Sequence, residues 1–376
     1  MHLTNKIRLK KAAIITILDN QNIGTYLQAY ALVATLRKNN ISSKVINYQR
    51  KTRSPLSIAK HIWKTKKGCL GAVASIVYRI PIFFIVKKKC RRFLESKVPF
   101  TTPYSSYEEL KNNPPKADIY ITGSDQVWNS VHNRGFDSVF YLKFIESSAA
   151  KYSYGSSIGM ARIPANEKKL MKDSLEEYRL ISTRESSAKK LLGEIGINNV
   201  ETVLDPTLLL SKEEWSLIAK ENGFKKKEPY LLIYSVESER KELIKKIAFE
   251  IAKQRGLKVY SITSDWFREG FGGDKSFYLS GPEIFINLFM NADFAVVSSF
   301  HGTAFSVNFN IPFLSITPGR FNSRIKSLLK IVDLESKIIS DVEFALNEAE
   351  KSIDFNKVNV ILGEKRKESL LFLDKF

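Results

Sequence analysis

Only 4 histidines occur among 376 residues, and one of them, His301, stands where chemistry is easy to build. The segment VVSSFHGTAFSVNF (296–309) reads as a short apolar strand ending in Ser298 and Ser299, then a helix stopped by Asn310 and Pro312. Such a turn offers helix N-terminal N–H groups and the positive end of the helix dipole to an anion. Ser299, Gly302 and Thr303 flank the imidazole and are candidate ligands of the same anion. The alternative is a histidine that only caps the helix or packs in the turn. Two arginines occupy matching places: Arg184 follows a strand in LISTRESSAKKLL, and Arg324 follows Asn322 and Ser323 in GRFNSRIKSLL. A guanidinium is a planar, permanently charged fork for phosphate or carboxylate; an exposed arginine paired with Glu185 is the other reading of Arg184. His301, Arg184 and Arg324 together describe a site for a small dianionic molecule.

Two further turns have the makings of a sugar site. DNQNIGTYLQAYAL places Asn22, Gly24 and Thr25 at a helix start, and YITGSDQVWN ends a strand with Ser124, Asp125 and Trp128. Sugars bind by hydrogen bonds at their edges and apolar contact on their faces, which polar side chains beside an indole supply. An ordinary βα turn, with Asp125 as a cap and Trp128 in the core, remains open for both. There is no phosphate loop of the G-x-x-x-x-G-K-[ST] type, no H-E-x-x-H and no G-x-S-x-G. Cys69 and Cys90 have no metal-ligand spacing and make no disulfide framework. A mechanism without metal or cofactor is therefore expected.

The elements that must hold these turns alternate between apolar strands and amphipathic helices, the pattern of α/β folds with parallel sheets. Strands are expected at about 12–18, 43–48, 117–122, 151–157, 179–183 and 200–204, then in YLLIYSV, KVYSIT, DFAVVSS and FLSITP. In SKEEWSLI, Ser211 is the expected N-cap and Glu214 completes a capping box. Residues 1–210 are expected to form one α/β domain and 211–356 a second, donor-binding one, with a cleft between them. Whether the C-terminal helix, residues 357–376, returns to the first domain is open, and a return is the expectation.

Charge is uneven. Of the net +20, residues 1–103 hold 21 Lys/Arg against only Asp19 and Glu95. Such a region wants an anionic partner. The N-terminus imitates a signal peptide, but the apolar AAIITIL stops at Asp19 with no cleavage site, so a buried strand is the expectation. Within an insertion at about 54–98, LGAVASIVYRIPIFFIV (70–86) is short for a membrane span and is interrupted by Arg79 and Pro81. It reads either as a pair of helices layered on the first domain or as an amphipathic or re-entrant element pressed on a membrane by basic flanks.

The chain resembles the polysaccharide pyruvyl transferase family. The resemblance rests on NIGTYLQAYAL, ADIYITGSDQVWN, YGSSIG, ISTRESSA, VLDPTLLL, SSFHGTAFSVNFNIPF and FNSRIKSLL, in that order. It implies two Rossmann-like domains facing across a cleft, akin to GT-B glycosyltransferases. It implies transfer of pyruvate from phosphoenolpyruvate to a sugar as a ketal, in building surface polysaccharides such as capsule and exopolysaccharide. It assigns His301 to acid–base chemistry or phosphate binding and matches Arg184 to the family's arginine. Where other branches carry an arginine two positions before the histidine, this chain has Ser299, and Arg324 is expected to supply the charge. Acceptors in such pathways are often sugars on polyprenyl phosphate carriers. A lipid-linked or free glycan, phosphoenolpyruvate and an anionic membrane surface are thus the expected partners of a cytoplasmic enzyme peripheral to the inner leaflet. A nucleotide-sugar glycosyltransferase is the rival, with Glu283 holding the ribose. Nucleic acid is the weaker partner for a basic chain whose aromatics are not interleaved with its basic runs.

Overall fold

The computed structural model describes residues 9–376 except 19, 51–53, 66–68, 237–239, 264–269 and 318–322. Asn322, expected to precede a helix start, lies outside the described residues. Five parallel strands build the first lobe: β1 (Lys10–Ile15), β2 (Ile41–Tyr48), β3 (Phe100–Tyr104), β4 (Ile119–Thr122) and β5 (Lys151–Ser153), in the order β3-β2-β1-β4-β5. Beyond β5, β6 (Ile181–Thr183) and β7 (Val200–Thr202) pair with each other, and single bridges such as Ser156 to Thr183 join them to the sheet.

The second lobe contains β8 (Tyr230–Tyr234), β9 (Lys258–Thr263), β10 (Lys275–Tyr278), β11 (Phe294–Val297), β12 (Phe313–Ile316) and β13 (Ile338–Ile339). They lie in the order β10-β9-β8-β11-β12-β13, all parallel. Helices cover both faces of such a sheet, so its strands read as continuous apolar runs. YLLIY of β8 and FAVV of β11 are buried throughout.

In each lobe the strand order reverses beside the first strand, between β1 and β4 and between β8 and β11. At such a switch point successive helices leave to opposite faces, and a crevice opens at the carboxyl ends of the strands. Every chemical motif singled out after β1, β4 and β11 emerges at one of these two crevices. One apolar cluster runs through both lobes, joining Tyr26 and Leu32 to Trp215, Phe285 and Phe305. The lobes are thus packed together behind the crevices. Ser211 caps the helix Lys212–Ala219 and forms the capping box with Glu214.

The helix Phe355–Leu373 lies on the first lobe. Ser369 Oγ accepts the Leu204 N–H at 3.0 Å, Arg366 donates to the Leu208 carbonyl, and Phe376 packs on Tyr152. The basic insertion consists of the helices Pro55–Thr65 and Cys69–Lys97. Arg79 and Pro81 do not interrupt the longer one, which continues through the proline. Pro81 is exposed, so water can take the carbonyl that its missing N–H leaves unbonded. Three strands escaped the sequence pattern: β3, β10 and β13, of which β3 carries Pro103 at a sheet edge, where a lost donor is tolerated.

Candidate active site

His301 opens the helix Phe300–Asn308, directly after β11. Ser299 is the N-cap: its Oγ accepts the Gly302 N–H at 3.0 Å, and its carbonyl accepts from Thr303 Oγ1 at 3.0 Å. Across the crevice the helix Ile23–Lys38 begins in the same way, with Asn22 Oδ1 accepting the Gly24 N–H at 3.0 Å. The two helix starts meet on the imidazole. A Cβ on Gly24 would lie 2.2 Å from both Cγ and Nδ1 of His301, so no larger residue fits there. Glycine is required here for close approach, not for an unusual backbone angle.

Behind the ring lies a buried ionic cluster. Arg184 donates from Nη1 to Asp205 Oδ2 at 2.7 Å and from Nη2 to Asp125 Oδ1 at 3.1 Å. Its Nε is 3.7 Å from Glu185, and its guanidinium stacks 4.4 Å from the Phe300 ring centre. Asp205 also accepts from Ser124 Oγ at 2.9 Å and from Thr207 N and Oγ1. Asp125, at a positive φ of 77°, accepts from Thr25 Oγ1 at 2.7 Å. His301 Nε2 stands 4.0 Å from Asp205 Oδ2, too far for a hydrogen bond, and has no other partner among the described residues.

These surroundings set the charges. Burial drives the His301 pKa down to about 4, against the opposing pull of Asp205 and Asp125, so the ring is neutral near pH 7. Burial alone would raise both aspartates; Arg184 first and His301 next outweigh it, and both stay well ionised. Burial likewise works against the Arg184 charge, and Asp205, Asp125 and Glu185 more than restore it.

A cavity of about 660 Å³ opens in front of the imidazole. Of the residues singled out in the sequence, Asn22, Asp125, Ser299, His301 and Arg324 line it, together with Asn20, Gln126, Asn129 and Arg134. Other expected ligands sit behind the wall. Arg184 has a side chain of 0% exposure, bonded through Nη1 and Nη2 to Asp205 and Asp125 and ion-paired with Glu185, and it is not among the residues that line the cavity. Ser124 and Thr25 hold Asp205 and Asp125, and Gly302 and Thr303 turn into the second lobe, the latter onto Ser315. Trp128 is core: its Nε1 donates to the Phe140 carbonyl at 3.2 Å and its ring stacks on Tyr141, so no indole face meets the cavity. Glu283 does not line the cavity; its carboxylate lies beside Gly281, near Lys89.

Sequence reasoning missed three features. Asp205, which the sequence offers only as part of the motif VLDPTLLL, is the carboxylate closest to the imidazole. Glu185 accepts from Ser157 Oγ and Ile158 N, tying down the YGSSIG loop. Phe83 and Val86 of the basic insertion form an apolar wall of the cavity.

Solved structures of similar shape are UDP-GlcNAc 2-epimerases. The enzyme from Methanocaldococcus jannaschii aligns with a TM-score of 0.50 at 12% identity over 92% of this chain and 93% of its own. The enzyme from Rickettsia bellii aligns with a TM-score of 0.50 at 13% identity over 98% and 97%. At such identities the likeness shows the fold, a GT-B-like pair of lobes. A search of curated protein sequences finds no significant match. The family model of polysaccharide pyruvyl transferases matches residues 22–320, from the cap of the first helix through both crevices. The chain is a transferase and belongs to the polysaccharide pyruvyl transferase family.

Proposed function

We propose that this chain transfers the pyruvyl group of phosphoenolpyruvate to a sugar of a lipid-linked surface-polysaccharide precursor, closing a cyclic ketal. One observation carries the reading. A 3% exposed imidazole lies between two helix N-termini, within 4.0 Å of a carboxylate, in a cavity that also holds Arg324. Phosphoenolpyruvate brings a phosphate and a carboxylate, which suit helix N-termini and guanidinium groups. Its arrival beside His301 raises the affinity of the ring for a proton, because negative charge favours imidazolium. The imidazolium then protonates the methylene carbon, and positive charge develops at the adjacent carbon, where the ionised Asp125 stabilises it. A sugar hydroxyl attacks that carbon and gives its proton to the now neutral imidazole. The carbon–oxygen bond to phosphate breaks, a second hydroxyl closes the ring, and its proton leaves with the phosphate. The lining asparagines Asn20, Asn22 and Asn129 are suited to the acceptor's hydroxyl groups.

The test sets phosphoenolpyruvate against UDP-sugars in thermal unfolding, then follows phosphate release with lipid-linked glycans. A ligand at 100 times its dissociation constant stabilises by about 2.7 kcal/mol. A shift with phosphoenolpyruvate and phosphate release only with acceptor are expected. Stabilisation by a UDP-sugar alone would replace this reading with glycosyl transfer.

A further inference from the structure

We infer that the helices Pro55–Thr65 and Cys69–Lys97 form a docking face for an anionic membrane leaflet, laid flat beside the entrance to the cavity. The two helices pack together, with Ile62 and Ala72 buried. Facing away is a stripe in which apolar side chains recur at helical spacing: Leu70 (88% exposed), Val73, Val77 (68% exposed) and Ile85. Leu56 and Trp63 on the shorter helix are exposed as well. The stripe runs on into the exposed cations Lys88 and Arg92. Residues 51–103 contain 13 Lys/Arg and a single acid, Glu95.

Apolar side chains among dense positive charge choose the occupant. A second copy would bring the same cations and repel, whereas acidic headgroups over an acyl interior satisfy both features. Leu70–Lys97 is long and apolar enough to cross a membrane by length and composition. Its apolar part, residues 70–86, rises only about 25 Å, short of a hydrocarbon core of about 30 Å. Arg79 stands within it, and the same helix buries Val86, Cys90 and Phe93 in the protein. The helix therefore lies in the interface. Phe83 and Val86 reach the cavity from its other side. On the proposed function, this lets a lipid-linked sugar enter the cavity while its lipid stays in the leaflet.

The full chain is floated with vesicles of equimolar phosphatidylglycerol and phosphatidylcholine, and with phosphatidylcholine alone. Binding to the acidic vesicles only, weakened by salt, is expected. The exposed-site variant Leu70→Gln/Val73→Gln/Val77→Gln should bind at least about tenfold more weakly. Lys88→Glu/Arg92→Glu, which reverses two of the 13 cations, should weaken the salt-sensitive part of binding measurably. Both should keep the wild-type thermal shift with phosphoenolpyruvate. Wild-type protein that ignores acidic vesicles, or variants that bind them unchanged, would overturn the inference. So would self-association that disappears in the variants without any vesicle binding, which would assign the face to a second copy. Vesicle binding without any response to phosphoenolpyruvate would sink the proposed reaction and leave this surface standing.

Discussion

Replacing His301 by glutamine should make the protein more resistant to acid, and the size of the effect follows from the burial of the ring. In the folded chain the imidazole titrates at about 4; in the unfolded chain it titrates near 6.5. Between those values the unfolded state binds a proton that the folded state refuses, so stability falls as pH drops through that window. At pH 7 the penalty is negligible, at pH 5 it reaches about 2 kcal/mol, and below pH 4 it levels off near about 3 kcal/mol. Glutamine keeps the size and polarity and carries no such penalty. Asp125 and Asp205, held low chiefly by Arg184, and aspartates of the unfolded chain, at about 3.9, are ionised at both pH 7 and pH 5, so they add little to the comparison. Urea unfolding of both proteins at pH 7 and pH 5 should show the wild type losing about 2 kcal/mol more than the variant. Carbon-13 NMR of the histidine Cε1 gives the midpoint directly, and saturating phosphoenolpyruvate should move it upward. A midpoint near 6.5 in the free protein, or parallel loss of stability in both proteins, would refute the argument.

Gly24→Ala should lower activity by about 100-fold, since its methyl would land on the imidazole and move it from its place. Gly363→Ala, in open helical space, should instead stabilise by about 0.5–1 kcal/mol in the same unfolding assay. Arg184→Met leaves two aspartates and Glu185 buried without their cation and should cost about 3–5 kcal/mol, read as a lowered melting temperature with little soluble enzyme. Arg324→Ala should fold normally and weaken phosphoenolpyruvate binding by at least about tenfold, measured by calorimetry. Unchanged affinity would show that Arg324 does not replace the charge absent at Ser299.

The parts of this molecule that local chemistry dictates were legible in the sequence. Continuous apolar runs marked the buried parallel strands, and Ser211 with Glu214 marked a helix start by its own hydrogen bonds. His301 stood out because a turn after an apolar strand is a place, and its rarity made it a candidate. What stayed hidden depends on contacts between distant segments. Asp205 acquires its meaning from Ser124, 81 residues away, and from His301, and nothing in VLDPTLLL tells an ionised hub from a loop breaker. The same blindness made Trp128 look like a sugar platform, since only the fold reveals Phe140 and Tyr141 against it. Arg184 was found for its charge, but three carboxylates from separate turns decide that the charge is internal. The edge strands β3, β10 and β13 are short or only partly buried and leave little periodicity to read.

The contact between Gly24 and His301 couples basicity to separation of the lobes. The ring is a weak base chiefly because burial keeps solvent out, with the charges of Arg184 and Arg324 adding to it, and a helix of the opposite lobe is part of what covers it. Any widening of the gap would hydrate the imidazole and restore its ordinary affinity for protons near neutrality. Reclosure over an anionic guest would carry that proton inward, whereas reclosure over nothing would expel it. Substrate entry and proton loading would then be one mechanical event, and an empty enzyme would hold no acid ready to misfire.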